Sequence, residues 1–447
     1  MRRALLPFRG GEVRRILPIL MLAALALSGG SRARAAAPDS LPAGAPGVLE
    51  FTPLARDSAT AAAPAHPDSA LVGEPEWLSA PFGERLLTEP EAWKAWHGHA
   101  VRLEPALDYN RVDLLRLGVA VQVQNPSTMA PRVGGRFEYS TGRRRGLFGL
   151  QLEQPLLRRS RLAVGISASR RTDHSELQQV DDVENSLALL IARQDYRDYF
   201  EREGFGAYLA WRVPDFSVVS VRVRRDTYRS LTLQGRTRSL FDRREALRDN
   251  PPVDEGEIHS VLLRLERQTR RTSRTRAGFY HWVELERAGY GMGGDFGYTR
   301  ALADLRSVVR LSPTATLALR AVGGTTLAGE LPAQKEFTAG GADGLRAHAF
   351  AEYRGNQLLL GQAEFATALW RVRPSGFDAG VHAIAFLDAG RAWDDPGRAW
   401  RPAGQHLQVD GGLGLTTSED NLRVYLARSL QRSRSRAVFS VRLQRPF

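Results

Sequence analysis

The stretch Val218-Val219-Ser220-Val221-Arg222-Val223-Arg224 sets Val219, Val221 and Val223 on one parity and Ser220, Arg222 and Arg224 on the other. Successive side chains of an extended strand point to opposite faces, so this ribbon has one apolar and one charged face. The same period of two recurs in both directions from it. Phe205, Ala207, Leu209, Trp211 and Val213 share a parity, as do Leu162, Val164 and Ile166. Val261, Leu263 and Leu265 alternate with Leu262, Arg264 and Glu266. At the C-terminal end Ala437, Phe439, Val441, Leu443 and Phe447 fall on one face, against Ser440, Arg442 and Gln444 on the other.

Such alternation fits either a soluble antiparallel sandwich with a dry inner face or a membrane barrel with an apolar outer face. The segments run to about 10–14 residues, longer than the soluble average of about 5–6 and long enough to cross a bilayer at a tilt. Their polar faces are charged along the whole length, which a sandwich core does not tolerate. Trp211, Tyr280, Trp282, Trp370 and Trp393 sit near segment ends, where an interfacial girdle places aromatics. The fold class read from this is all-β, a transmembrane antiparallel barrel. Fifteen segments can be marked between residues 112 and 447. Single-chain bacterial barrels have even counts. Leu103–Asn110 is the candidate for a sixteenth strand, because with both termini periplasmic only then do the long connections 171–203, 227–256, 326–355 and 393–404 all fall outside.

The 447 residues include no cysteine, which removes disulfide scaffolds, thiolate metal sites, a cysteine nucleophile and a lipoprotein anchor. The formal charge of +13 falls by six once the first 35 residues, with seven Arg against Glu12, are set aside, so nucleic acid is not an expected partner. Residues 1–35 read as a secretory signal peptide, with a basic start, an apolar run from Ile16 to Leu27 and small residues around Ala33-Arg34-Ala35. Residues 36–72, rich in Ala, Pro, Asp and Ser, read as a disordered linker. Residues 73–102 carry Trp77, Trp93, Trp96 and the helix start Thr88-Glu89-Pro90-Glu91, and read as a short periplasmic helical segment before a barrel over 103–447. No metal or other cofactor is expected, since His97-Gly98-His99 has no third ligand at coordinating distance in the chain.

Two segments carry more than a pattern. The first is Phe337-Thr338-Ala339-Gly340-Gly341-Ala342-Asp343-Gly344-Leu345-Arg346, followed by Tyr353-Arg354-Gly355-Asn356 and Glu364-Phe365. The second is Ala385-Phe386-Leu387-Asp388-Ala389-Gly390-Arg391-Ala392-Trp393, followed by Asp410-Gly411-Gly412-Leu413-Gly414-Leu415. In this order, ahead of an aromatic C-terminal strand, they resemble the C-terminal half of the BamA/TamA family of bacterial surface-antigen barrels. Tyr109-Asn110-Arg111-Val112-Asp113 is similar to that family's first-strand entry. The resemblance implies a sixteen-stranded barrel in which an outer loop folds into the lumen and locks Arg346 onto the wall acid Asp388. It also implies Gly340, Gly341 and Gly344 as loop glycines and Gly390, Gly411 and Gly412 as a wall motif. Phe439, Val441, Leu443 and Phe447 then belong to the closing strand. A guanidinium fork matches a carboxylate bidentately, and a confined lumen screens such a pair less than a surface does. The chain departs from the family in two places. Ala347-His348 stand where an aromatic usually follows two residues after the loop arginine. The roughly 65–70 residues between the expected cleavage site and the first strand are too few for a POTRA domain of ordinary size.

The resemblance further implies assistance to proteins, or lipids, that enter or cross the outer membrane, through a weak seam between first and last strands where Pro446 removes a ladder donor. The expected partners are outer-membrane lipid, unfolded outer-membrane or secreted clients, and a separate periplasmic subunit in place of POTRA domains. The alternative is a passive pore or structural barrel, with Arg222, Arg224, Arg264 and Arg442 making an anion-leaning lumen. No enzyme is expected: there is no Gly-x-Ser-x-Gly elbow, P-loop or His-Glu-x-x-His, and His382, on the parity of Asp388, reads as a wall residue. In the first long loop, Leu187, Leu190 and Ala192 predict a short helix. Asp195-Tyr196-Arg197-Asp198-Tyr199 there reads as a solvated helix face with local charge pairs rather than a ligand site.

Overall fold

A computed structural model describes residues 100–124, 129–157, 162–212, 217–235, 237–240, 247–267, 278–372, 379–395, 406–417, 422–431 and 435–443. The expected signal peptide and linker, most of the expected helical segment, Pro446 and Phe447 lie outside the described residues. The strands are β1 (Ala100–Asn110), β2 (Leu114–Gln124), β3 (Arg132–Ser140), β4 (Arg145–Pro155), β5 (Leu162–His174), β6 (Tyr199–Arg212), β7 (Ser217–Ser230), β8 (Gly256–Arg267), β9 (Gly278–Ala288), β10 (Tyr298–Ser312) and β11 (Ala315–Gly329). A small hairpin of β12 (Phe337–Ala339) and β13 (Tyr353–Gly355) precedes β14 (Gln357–Val372), β15 (Ala379–Trp393), β16 (Gln408–Thr417), β17 (Arg423–Ser429) and β18 (Val438–Arg442). Apart from that hairpin, the strands form one sixteen-stranded sheet in which each pairs antiparallel with the next, β11 with β14. The sixteenth strand expected at Leu103–Asn110 is β1, and it begins at Ala100, three residues ahead of the expected boundary.

The long connections 175–198, 231–255, 330–356 and 394–407 all lie at the same end of the sheet, with short connections at the other. Burial along the strands inverts that of a soluble protein. On β7, Val221 and Val223 are 42% and 54% exposed, while Ser220 and Arg224 are buried. Across the ladder Val221 faces Leu263 and Val223 faces Val261, so the apolar outer face is continuous from strand to strand. Apolar side chains outward and charged ones inward is the arrangement of a wall standing in lipid around a polar interior. The girdle reading holds for Trp211 and Trp370, which are exposed, but not for Trp282 and Trp393, which are buried. Trp282 belongs to the apolar cluster that the inward-folded loop makes with the wall, and the Arg264 guanidinium lies over its ring, 4.6 Å from the centroid.

Helix α1 (Asp182–Ala192) forms where Leu187, Leu190 and Ala192 predict it. Asp181 caps its start, accepting the Val183 N–H at 2.8 Å, and Arg193 ends it in the left-handed conformation. The helix touches β1 through Ser186 and Asp108 and touches β18 through Glu184 and Arg442. The two edges of the sheet therefore curl round to meet one helix. The connection 330–356 enters the same interior: Phe337, Ala339 and Leu345 pack with Val322, Leu358 and Leu360 of the wall.

Placing a charge on the outer face tests this orientation. Leu263→Arg is expected to cost about 2–4 kcal/mol, whereas the volume-conserving Leu263→Ile costs under about 1.5 kcal/mol. Urea titration of the barrel refolded into lipid bilayers measures both, and equal midpoints would mean that Leu263 does not face lipid.

Candidate functional site: the loop lock and the seam

Connection 330–356 turns into the lumen at Gly340 and Gly341, whose φ angles of 117° and 87° favour residues without a Cβ. A Cβ on Gly340 would lie 2.4 Å from the Ala349 carbonyl oxygen. The turn delivers Arg346 to the wall. Its Nε donates to Asp388 Oδ2 and its Nη2 to Asp388 Oδ1, both at 2.7 Å, and Nη1 donates to Glu364 Oε2 at 3.1 Å. The guanidinium also lies over the ring of Phe386, 3.7 Å from the centroid, and 4.8 Å from that of Tyr425. Fork, carboxylates and aromatic faces together suit an arginine and no other cation. A Cβ on Gly412 would lie 2.6 Å from Phe386 Cζ, so this wall glycine makes room for the ring beneath the arginine.

The sequence-predicted residues divide clearly. Arg346 and Asp388 are in contact and buried. The Gly344 carbonyl accepts from Gln362 Nε2 at 2.9 Å, which ties the loop to β14. Gly390 and Gly411 lie in the wall opposite Leu360 and Leu387. Phe439 and Val441 pair with Leu426 and Val424 on β17, and Leu443 follows the end of β18. Phe447 lies outside the described residues. The sequence reading missed the second acid, Glu364, and the pair that steadies it. Arg423 contacts Glu364, and the Tyr425 hydroxyl donates to it at 2.9 Å. Their signal was parity: Gln362 with Glu364, and Arg423 with Tyr425, are next-but-one neighbours on inward faces.

The departure at His348 has a structural answer. His348 is buried, its Nδ1 lies 3.0 Å from Asp410 Oδ2, and its ring meets Tyr353 edge-on at 5.4 Å. The Ala347 N–H donates to the same Asp410 oxygen at 2.8 Å. A polar ring thus stands in the aromatic place, matched to a wall carboxylate.

Two expectations are corrected. The lumen is not simply anion-leaning, because its arginines meet carboxylates. Arg224 contacts Glu286 at 3.2 Å, Arg264 contacts Glu266 at 2.9 Å, and Arg442 contacts Glu184 and Asp343. Arg222 instead lies over the Tyr208 ring, 5.6 Å from its centroid. Confinement at low dielectric makes unbalanced charge costly, so the pairing follows from burial. Likewise, Asp195 to Tyr199 is no solvated helix face: it lies beyond α1 and fastens the loop. Arg197 contacts Asp182 at 2.6 Å, and Arg111 reaches Asp198 at 3.1 Å. In the same connection, burial alone would raise the Glu176 carboxyl, but Arg300, at 2.8 Å, and Lys335 outweigh it and hold it below its ordinary range.

The seam is the other part of the site. Among the described residues no ladder joins β1 to β18, and β18 pairs with β17 over five residues only.

The family model described as the Omp85 superfamily domain matches residues 129–419. Among solved structures, BamA from Haemophilus ducreyi lacking POTRA domains 1–3 is 12% identical, with 77% of this chain and 69% of that one covered and a TM-score of 0.52. CdiB from Acinetobacter baumannii is 12% identical, over 78% of this chain and 66% of that one, with a TM-score of 0.42. For CdiB from Escherichia coli the values are 12%, 76%, 59% and 0.43. At 12% identity the likeness to BamA speaks to the fold. No curated protein matches the chain.

Arg346→Ala leaves Asp388 and Glu364 buried without their shared cation and is expected to destabilise the barrel by about 3–5 kcal/mol. Arg346→Lys, whose compact ammonium lacks the planar fork that matches Asp388 bidentately while reaching Glu364, is expected to recover less than about half of that. Urea midpoints of the three proteins decide the matter, and an unshifted Arg346→Ala would make the contact dispensable.

Proposed function

The chain belongs to the Omp85 superfamily, and from that premise we propose that it is an outer-membrane barrel that assists proteins, or lipids, to enter or cross the outer membrane. The observation that carries this reading is the seam. A barrel that only walls or conducts gains stability from a full closing ladder, since each unpaired backbone group at membrane depth costs several kcal/mol by transfer estimates. Among the described residues, the first strand offers an edge to which an incoming strand can add, and the last strand holds its neighbour by five residues. The inward loop supports the same reading. It packs against the inner wall, which favours a path for a client sideways through the seam over one along an open channel.

In this proposal residues 1–35 direct export, residues 36–72 act as a linker and residues 73–99 as a short periplasmic element. Outer-membrane lipid and unfolded clients are the partners, and a separate periplasmic subunit supplies client recruitment. The Arg346–Asp388 contact is the lock that keeps the loop seated while the seam works. No catalytic step is required of the chain.

Reconstitution in liposomes tests the proposal. An unfolded reporter barrel protein is expected to insert several-fold faster into vesicles carrying this protein than into empty ones, and Arg346→Ala is expected to lose the gain. A folded, heat-modifiable protein that gives no acceleration but a steady current would replace this function with that of a pore.

A further inference from the structure

An unpaired strand edge invites another strand, and proteins that keep one usually cover it. The upper edge of β1 is covered from inside the lumen. The Tyr109 N–H donates to Ser186 Oγ on α1 at 2.9 Å, and the Ser186 hydroxyl donates to Asp108 Oδ1 at 2.8 Å. Just beyond, the Arg111 carbonyl accepts the Gln234 N–H at 3.0 Å, and the Tyr109 hydroxyl bonds both backbone groups of Arg238. That second connection is fastened to the helix in turn, the Leu240 N–H donating to the Leu190 carbonyl at 2.7 Å.

The opposite edge is held by the same turn of α1. Arg442, the last residue of β18, contacts Glu184, two residues from Ser186, and donates to the Ala342 carbonyl at 2.9 Å and to Asp343 Oδ1 at 3.2 Å. Ala342 and Asp343 lie just ahead of Arg346 in the locked loop, and Asp343 also accepts the Gln179 N–H at 2.7 Å. Both edges therefore end on one helix, and that helix is braced by the locked loop.

We propose that α1 is the clasp of the seam, with Ser186 and Glu184 as its positioning residues: Ser186 holds the first strand, Glu184 holds the last, and a strand that adds to β1 must displace Ser186 from the Tyr109 amide. The consequence for insertion rests on the function proposed above, but the clasp itself is a property of the fold. Release of α1 then sets when the seam opens.

Hydrogen exchange on the full-length barrel in lipid nanodiscs tests the clasp without any client. In the double variant Ser186→Ala/Glu184→Gln, amides of residues 100–110 are expected to exchange about tenfold faster, the effect of losing one hydrogen bond to the edge, while those of 217–230 stay as in the parent. Unchanged exchange at 100–110, or faster exchange across the whole barrel, would overturn the clasp. The chain has no cysteine, so a single engineered tether is unambiguous. Oxidised Asp108→Cys/Ser186→Cys is expected to insert the reporter protein about tenfold more slowly than the same protein after reduction, because the tether keeps α1 on the edge. Equal rates above those of empty vesicles would overturn the clasp. If neither form exceeds empty vesicles, the proposed function fails, and the exchange measurement alone decides the clasp.

Discussion

In lipid every backbone donor and acceptor has to find its partner within the protein, and the rest of this structure is organised around that requirement. Among the described residues, fifteen of the sixteen junctions between neighbouring strands meet it with antiparallel ladders. The remaining junction, between β1 and β18, is met at its upper end by side chains and loop backbone instead. Ser186 takes the Tyr109 amide, and α1 reaches across to Arg442.

The outward turn of the apolar faces has a second consequence, because it leaves charge inside. A confined polar interior is stable only if its charges are matched. Glu286 is met by Arg300, Arg224 and Lys335, and Asp304 by Arg306 and Arg320. Several of these contacts do more than neutralise. Lys335 and Arg346 belong to the inward loop, and Glu176 and Glu184 to the connection that carries α1, so charge matching is also what seats both segments against the wall. The lock and the clasp are then parts of one network, joined through Asp343, which lies three residues from Arg346 and contacts Arg442.

Most of the wall was legible in the chain because lipid imposes a strict period of two, and Val219, Val221 and Val223 announce it locally. Ends of strands were less legible. β6 begins at Tyr199 and β7 runs on to Ser230, beyond the apolar alternation, because their upper ends stand clear of lipid and their outward residues are free to be polar. Arg346 and Asp388 were legible only through resemblance, since 42 residues separate them and no local pattern connects a loop to a wall. Glu364, Arg423 and Tyr425 carried a parity signal, but parity alone does not say which inward residue a loop will reach.

By itself the sequence determined that the chain is an antiparallel membrane barrel, because alternation, strand length and the sign of each face are local properties that any neighbouring residues express, whereas the count of sixteen rested on the even-number rule and the resemblance. Only the tertiary structure decided that Trp282 turns inward to the cluster formed with the loop, that His348 finds Asp410, and that Asp195 to Asp198 fasten a loop instead of facing solvent. Each of these depends on which loop enters the interior and how far it reaches. That is settled by the curl of the sheet round the inward segments, which brings residues more than 250 positions apart, such as Glu184 and Arg442, into contact.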